Sequence, residues 1–150
     1  NCWSLLKEST PTNVFTITAY VYLPLVYLHI FQQWEGSEED LKKIKMTKEK
    51  MIDKIQASIC LLENFSNVFR VAKPQLCRVR GYFFYLLGSP TRSRGLWDKG
   101  IIIARELGMM YEEALLQEAK VLATKKPDDR PAVFYAQQGV NVNNMYHFVK

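Results

Sequence analysis

The chain has 150 residues, enough to bury one core, and its side chains are 48% apolar, 23% charged and 13% aromatic. That composition is globular and excludes an intrinsically disordered chain. Lysines and arginines number 20 against 15 acids, a net charge of +5, too small an excess to imply a nucleic-acid partner by itself.

The three cysteines, Cys2, Cys60 and Cys77, are widely spaced and odd in number, with no Cys-x-x-Cys or Cys/His grouping. This spacing speaks against a disulfide framework or a metal site and for reduced thiols in a cytoplasmic protein. The sequence starts at Asn1 without an initiator Met and is expected to be a piece of a longer chain. No basic segment leading into an apolar run marks a signal peptide.

The first predicted helix runs from about Asn13 to Trp34, with Pro24 kinking or splitting it. Inside it, Val14 to Phe31 is a run of 18 uncharged residues, near the lower limit for crossing a bilayer. Its threonines, tyrosines, His29 and Pro24, with no basic flank, favour a buried helix of an all-helical domain; a membrane anchor is the alternative. The next segment, "EGSEEDLKK", reads as a solvated connector.

Thr47 is placed to cap a second helix with apolar positions Met51, Ile52, Ile55, Ile59, Leu62, Phe65 and Phe69. Steps of three and four put these on one face, and Pro74 should end the helix near Val71. A third helix from about Pro74 to Leu87 offers Leu76, Val79, Phe83, Phe84 and Leu87 to the core. Stop and restart signals follow at once: Gly88 suits the left-handed residue past a helix end, Ser89 an N-cap, Pro90 a first helical position. A fourth helix reaches Leu107 and ends at Gly108; a fifth starts near Tyr111, with Pro127 as its stop. Residues 125–150 show no clear period and are expected to form an irregular or poorly docked tail behind a domain spanning 1–124.

Helices joined by short turns make the expected fold class all-α, with antiparallel hairpins. Gly81, Ser93 and Gly100 are small residues separated by 12 and 7, and 38 residues beyond Gly81 lies Ala119. Those intervals match the small positions of a tetratricopeptide-like repeat, at which two backbones approach while Phe84 and Trp97 fill the wider gaps. The expected architecture is therefore a short, right-handed solenoid of stacked hairpins. Cys77 stands where the repeat normally opens with an aromatic residue, and the terminal proline is missing.

Chemistry-bearing patterns are sparse. "GSPTRSRG" lacks the Gly-Lys-Ser/Thr of a phosphate loop; Arg92 and Arg94 near a helix N-terminus leave anion binding open, but a capped turn explains each residue. Ser89-Pro90 is a candidate for phosphorylation by a proline-directed kinase. His29 and His147 are the two histidines, and no Ser/His/Asp or Cys/His grouping follows from the spacing. Glu112 and Glu113 fit a helix's first turn as dipole partners. Arg70, Lys73, Arg78, Arg80, Arg92 and Arg94 form a loose basic cluster, the basis of an alternative as an RNA-binding repeat. No catalytic, metal-binding or cofactor-binding residue is expected, nor nucleic-acid binding or stable membrane insertion.

The run "VAKPQLCRVRGYFFYLLGSPTRSRGLWDKGIIIARELGMMYEEAL" resembles the C-terminal helical-repeat region of the soluble, bicarbonate-responsive adenylyl cyclases and related cyclase/ATPase chimeras. The similar elements are Arg80-Gly81, the turn from Leu86 to Pro90, Trp97, and Ala104 through Ala114, with Trp34-Glu35 upstream. The likeness covers about Thr18 to Ala123. Pro24, Met110 in place of a proline, and the segment after Lys125 depart from the pattern.

The resemblance implies a parent that converts ATP to cyclic AMP with a divalent metal and bicarbonate, all bound on domains outside this stretch. It implies for the stretch itself a non-catalytic regulatory or scaffolding role in the cytoplasm. Its partners would be other domains of the same chain or other proteins, held through a helical groove.

Overall fold

Alternation of apolar steps with two glycine stops yields five α-helices in the computed structural model, which describes residues 13–34 and 47–123. They are α1 (Ile17–Trp34), α2 (Lys48–Val68), α3 (Lys73–Leu86), α4 (Pro90–Glu106) and α5 (Met110–Leu122). Turns of 3-10 helix precede α1 (Val14–Thr16) and link α2 to α3 (Arg70–Ala72). Among the described residues the fold is all-helical, with no strand. The acidic connector after Trp34, the end of the predicted 1–124 domain and the 125–150 tail lie outside them.

Each boundary has a local cause. Thr47 Oγ1 accepts from the Lys50 N–H at 3.3 Å and starts α2 as an N-cap. Asn13 does the same for the first 3-10 turn, accepting from Phe15 N–H at 2.9 Å. The break after α2 falls at Phe69, extended at φ −116° and ψ 100°, earlier than the expected end near Val71. Lys73 itself is helical at φ −63° and ψ −42°, despite the proline that follows it. The extended residue thus sits where the Phe69 ring packs on Phe65, centroids 4.9 Å apart, and Pro74 occupies the first turn of α3, where its missing N–H costs nothing.

Pro24 neither splits nor ends α1, which continues to Trp34. Its ring is among the fully buried side chains, so burial of apolar surface offsets the helix bond it cannot make.

The turns after α3 and α4 are the same device used twice. Ser89 N–H reaches Phe84 C=O at 2.8 Å and Gly88 N–H reaches Tyr85 C=O at 3.0 Å; Met109 to Ala104 and Gly108 to Arg105 repeat this at 2.8 and 3.1 Å. Both are Schellman closures around a glycine with positive φ, 77° at Gly88 and 66° at Gly108. Ser89 makes no side-chain cap bond; its N–H is spent closing α3 and its carbonyl accepts from Ser93. A Gly88→Ala substitution meets no atom within 4 Å among the described residues, so its expected cost is that of the left-handed backbone. A loss of about 1 kcal/mol is expected in chemical denaturation, and an unchanged midpoint would contradict the closure.

Cross-helix pairs fix the directions. Tyr20 stacks near Phe65 with centroids 4.6 Å apart, while Lys48 lies over the Phe31 ring at 5.6 Å, so α1 and α2 are antiparallel. Arg80 pairs with Glu63 at 2.5 Å and Lys73 donates to Asn67 at 3.2 Å, so α2 and α3 are antiparallel too. α4 turns back along α3, and α5 along α4, where Arg105 meets Glu113 at 2.7 Å and Lys120 meets Asp98. It follows that α1, α3 and α5 all run the same way.

α3 packs against each of the other four helices. Nine of its residues are buried, including Gln75, Arg78 and Gly81, whereas the expected core residue Leu87 is 40% exposed at the turn. In α2, Met51, Ile55, Ile59, Leu62 and Phe65 are buried, and Ile52 and Phe69 pack at the edge of the same core.

Candidate docking site

The α3–α4 hairpin is built around one tryptophan. Trp97 is fully buried, its indole N–H donates to the Arg78 carbonyl at 3.2 Å, and Tyr82 meets it edge-on at 5.6 Å. Tyr85 closes another side at 6.2 Å.

Gly81 makes room for that ring. A Cβ added at 81 would lie 2.0 Å from Trp97 Nε1 and 2.5 Å from Cδ1. Gly81 therefore accommodates an indole rather than the facing backbone, and Trp97 fills the glycine's own site rather than a gap beside it. Gly100 makes room in a similar way for Cys77 and Leu116: its added Cβ would meet them at 2.9 and 3.0 Å. Ser93 is buried with its hydroxyl donating to the Ser89 carbonyl at 3.1 Å, and Ala119 is buried in α5.

Phe84 lies elsewhere. It is half-buried beside Phe83, with the Arg92 guanidinium 4.0 Å above its ring. This cation–π contact spans the Gly88 turn and engages one of the two arginines considered for anion binding.

The rest of the basic cluster is largely drawn into pairs. Arg70 meets Glu106 at 2.6 Å, Arg80 meets Glu63, and Arg78 lies inside the protein 3.5 Å from Glu112. Among the described residues no group of three or more His, Cys, Asp or Glu is placed to hold a metal ion. Burial pushes the Cys77 thiol above its ordinary pKa, against the pull of Lys99, Arg80 and Lys73, so it stays protonated and a poor nucleophile at neutral pH.

Burial also lowers the pKa of half-buried His29. The folded chain therefore binds a proton there less readily than the unfolded chain, whose histidine titrates near about 6.5. This contribution to stability is full above the ordinary histidine value and is lost as pH falls through the lowered one. A His29→Gln variant should show a shallower loss of stability between about pH 7 and 5, read by denaturation at each pH; an unchanged slope would refute the assignment.

A second feature is visible only in three dimensions. A pocket of about 250 Å³ opens between α1, α3 and α5, walled by Ile17, Val21, Leu25 and Leu115 and rimmed by Tyr22 and Tyr111. Its floor is polar: Gln75, Arg78 and Glu112. Gln75 Nε2 donates to Glu112 Oε1 at 3.2 Å, and the Arg78 guanidinium faces Glu112 Oε2. In the sequence Arg78 read as part of a loose basic cluster and Glu112 as a helix-dipole partner. The one available signal was Gln75 and Arg78, three apart on an otherwise apolar helical face.

The described chain is thus an all-helical array of antiparallel hairpins with a pocket along α1, α3 and α5. Comparison with protein-family models, with curated proteins and with solved structures returns no match.

Proposed function

We propose that this chain is a docking segment of the tetratricopeptide-like kind, part of a cytoplasmic, soluble adenylyl cyclase-like parent. On this reading the pairs α1–α2 and α3–α4 are successive repeats and α5 opens a third. The observation that carries it is the co-directional row α1, α3, α5 with a pocket along it, as the first helices of stacked repeats would line a shared groove. The two identical glycine closures and the seating of Trp97 on Gly81 are consistent with a repeated hairpin. The parent is supported by the motif from Pro74 to Glu113.

Its mechanism would be docking: the groove holds another domain of the parent, or a protein partner, and chemistry occurs elsewhere. The test is to extend the transcript upstream of the Asn1 codon and delete this segment from the encoded protein. Paired cyclase domains upstream, and a changed bicarbonate response of cyclic AMP production on deletion, are expected. An upstream frame with no cyclase domain, or an unaltered response, overturns the reading.

One observation favours a second reading, a membrane-associated protein. Val14–Gln33 has a mean hydropathy of 1.7, and 28% of that stretch is buried. Alkaline carbonate extraction separates the two readings, since a bilayer anchor stays in the pellet and a docking segment is released.

A further inference from the structure

α5 repeats α3 at a fixed distance along the chain. It starts 37 residues after α3 (Lys73 to Met110), and Gln75 of α3 lies opposite Glu112 of α5, again 37 residues on. On α3, the side taken by α4 carries Cys77, Gly81 and Phe84. Cys77 faces Gly100, Trp97 sits on Gly81, and Arg92 covers Phe84. The same positions on α5 are Ala114, Glu118 and Val121. Ala114 is exposed, Val121 is 56% exposed and Glu118 is half-buried, so among the described residues no helix packs over this side.

The chain itself is long enough to cover it. Beyond Leu86 the turn and α4 take residues 87–106, whereas residues 123–150 follow Leu122. Phe134 stands 37 residues after Trp97, the same distance that separates α5 from α3. Asp129 suits an N-cap, Pro131 a first turn as Pro74 does in α3, and Gly139 a stop. A helix over 130–138 would be about 14 Å long, against about 11 Å from Ala114 to Val121.

The face also disfavours two other occupants. A lipid surface would have to take up the Glu118 carboxylate. A second copy would find a strip two helical turns long, far short of the about 800 Å² that each partner of a stable complex buries. Glu118 stands where Gly81 does, so this face has no pit for an indole, and the ring at the matching place is the smaller Phe134.

We propose that residues 130–138 of this chain pack antiparallel on α5 and complete a third hairpin, with Phe134 set between Ala114 and Val121. The segment caps the array, closing the apolar side that a stack of repeats leaves open at its last helix. The inference rests on the repeat arrangement of the docking reading and names what its last helix pairs with.

Hydrogen exchange of the 150-residue chain tests it. Amides of 134–138 should exchange at least about tenfold more slowly than in a free peptide of the same sequence. Val121→Asp should return them to the peptide rate, a change on the scale of one valine losing its burial. Val68→Asp alters a similarly exposed valine on α2, 59% against 56%, and should leave the protection unchanged. Both valines are exposed, so neither variant disturbs the described core. In the methyl-labelled chain, NOEs are expected from the Phe134 ring to the Ala114 and Val121 methyls, and Phe134→Ser should move both methyl resonances.

Peptide rates at 134–138 in the unaltered chain overturn the proposal. So does protection that survives Val121→Asp or falls equally with Val68→Asp. Protection that rises with protein concentration, or Phe134 contacts between differently labelled chains, overturns it in favour of a second copy. None of these readouts involves cyclic AMP, so a failed cap beside an intact effect of the segment on the parent's cyclase removes this assignment alone.

Discussion

Replacing Gly81 by alanine is expected to destabilise the chain by about 1–3 kcal/mol or more, the scale of overpacking in a filled core. The direction is the informative part. An alanine in a helix interior ordinarily gains about 0.5–1 kcal/mol over glycine. At position 81 the new methyl would sit 2.0 Å from the Trp97 nitrogen, in a ring held by a hydrogen bond to Arg78 and flanked by Tyr82 and Tyr85. The indole must move, and its hydrogen bond moves with it.

Gly95 supplies the internal control. It lies in α4 with nothing among the described residues within 4 Å of an added Cβ, so Gly95→Ala should stabilise by about 0.5–1 kcal/mol. Shrinking the ring with Trp97→Leu should make Gly81→Ala far less costly, a strong coupling in a double-mutant cycle. Denaturant midpoints that move in the same direction at 81 and 95 would refute the steric account.

The second large effect concerns the buried pair. Glu112→Leu removes the carboxylate facing Arg78, whose side chain is 7% exposed. Breaking such a pair from one side typically costs about 3–5 kcal/mol, because it leaves a charge buried without its counter-charge. Gln75 loses its acceptor in the same step. Changing both partners, Arg78→Met with Glu112→Leu, should recover most of the loss, since well-packed apolar groups often replace a buried ion pair at little cost.

The contrast is with Arg70 and Glu106, which lie 2.6 Å apart but are 64% and 52% exposed. Glu106→Ala should change stability by less than about 1 kcal/mol despite the shorter distance. Equal losses at Glu112 and Glu106, measured by urea unfolding, would show that burial does not set the value of these pairs.

Much of the helical layout was legible in the residues. Thr47 as a cap, Gly88 and Gly108 as left-handed stops and Pro90 as a helix start are signals that act through a residue's own backbone or its nearest neighbours. The apolar face of α2 was legible for a similar reason: steps of three and four return to one side of a helix whatever lies opposite. Two local rules failed at the ends of that logic. The break after α2 falls at Phe69 rather than near Val71, with Lys73 helical ahead of Pro74, and Pro24 left α1 continuous, because ring packing in each place outweighs a local backbone preference.

Partnership across helices was the part that stayed hidden. The spacing of Gly81, Ser93 and Gly100 identified small positions without revealing that one of them holds an indole and another a cysteine and a leucine. Phe84 reads as apolar filling in sequence and becomes a platform for Arg92 at a turn. Gln75, Arg78 and Glu112 come from two helices separated by all of α4, and no pattern along the chain joins them.

The sequence by itself determined where helices start, stop and turn their apolar sides, because caps, glycine stops and periodicity are decided within a few residues. Only the tertiary structure decided which charges are buried, which glycine seats the tryptophan and where a pocket opens. Those depend on distances between residues far apart in the chain, set when α3 packs against its four neighbours at once.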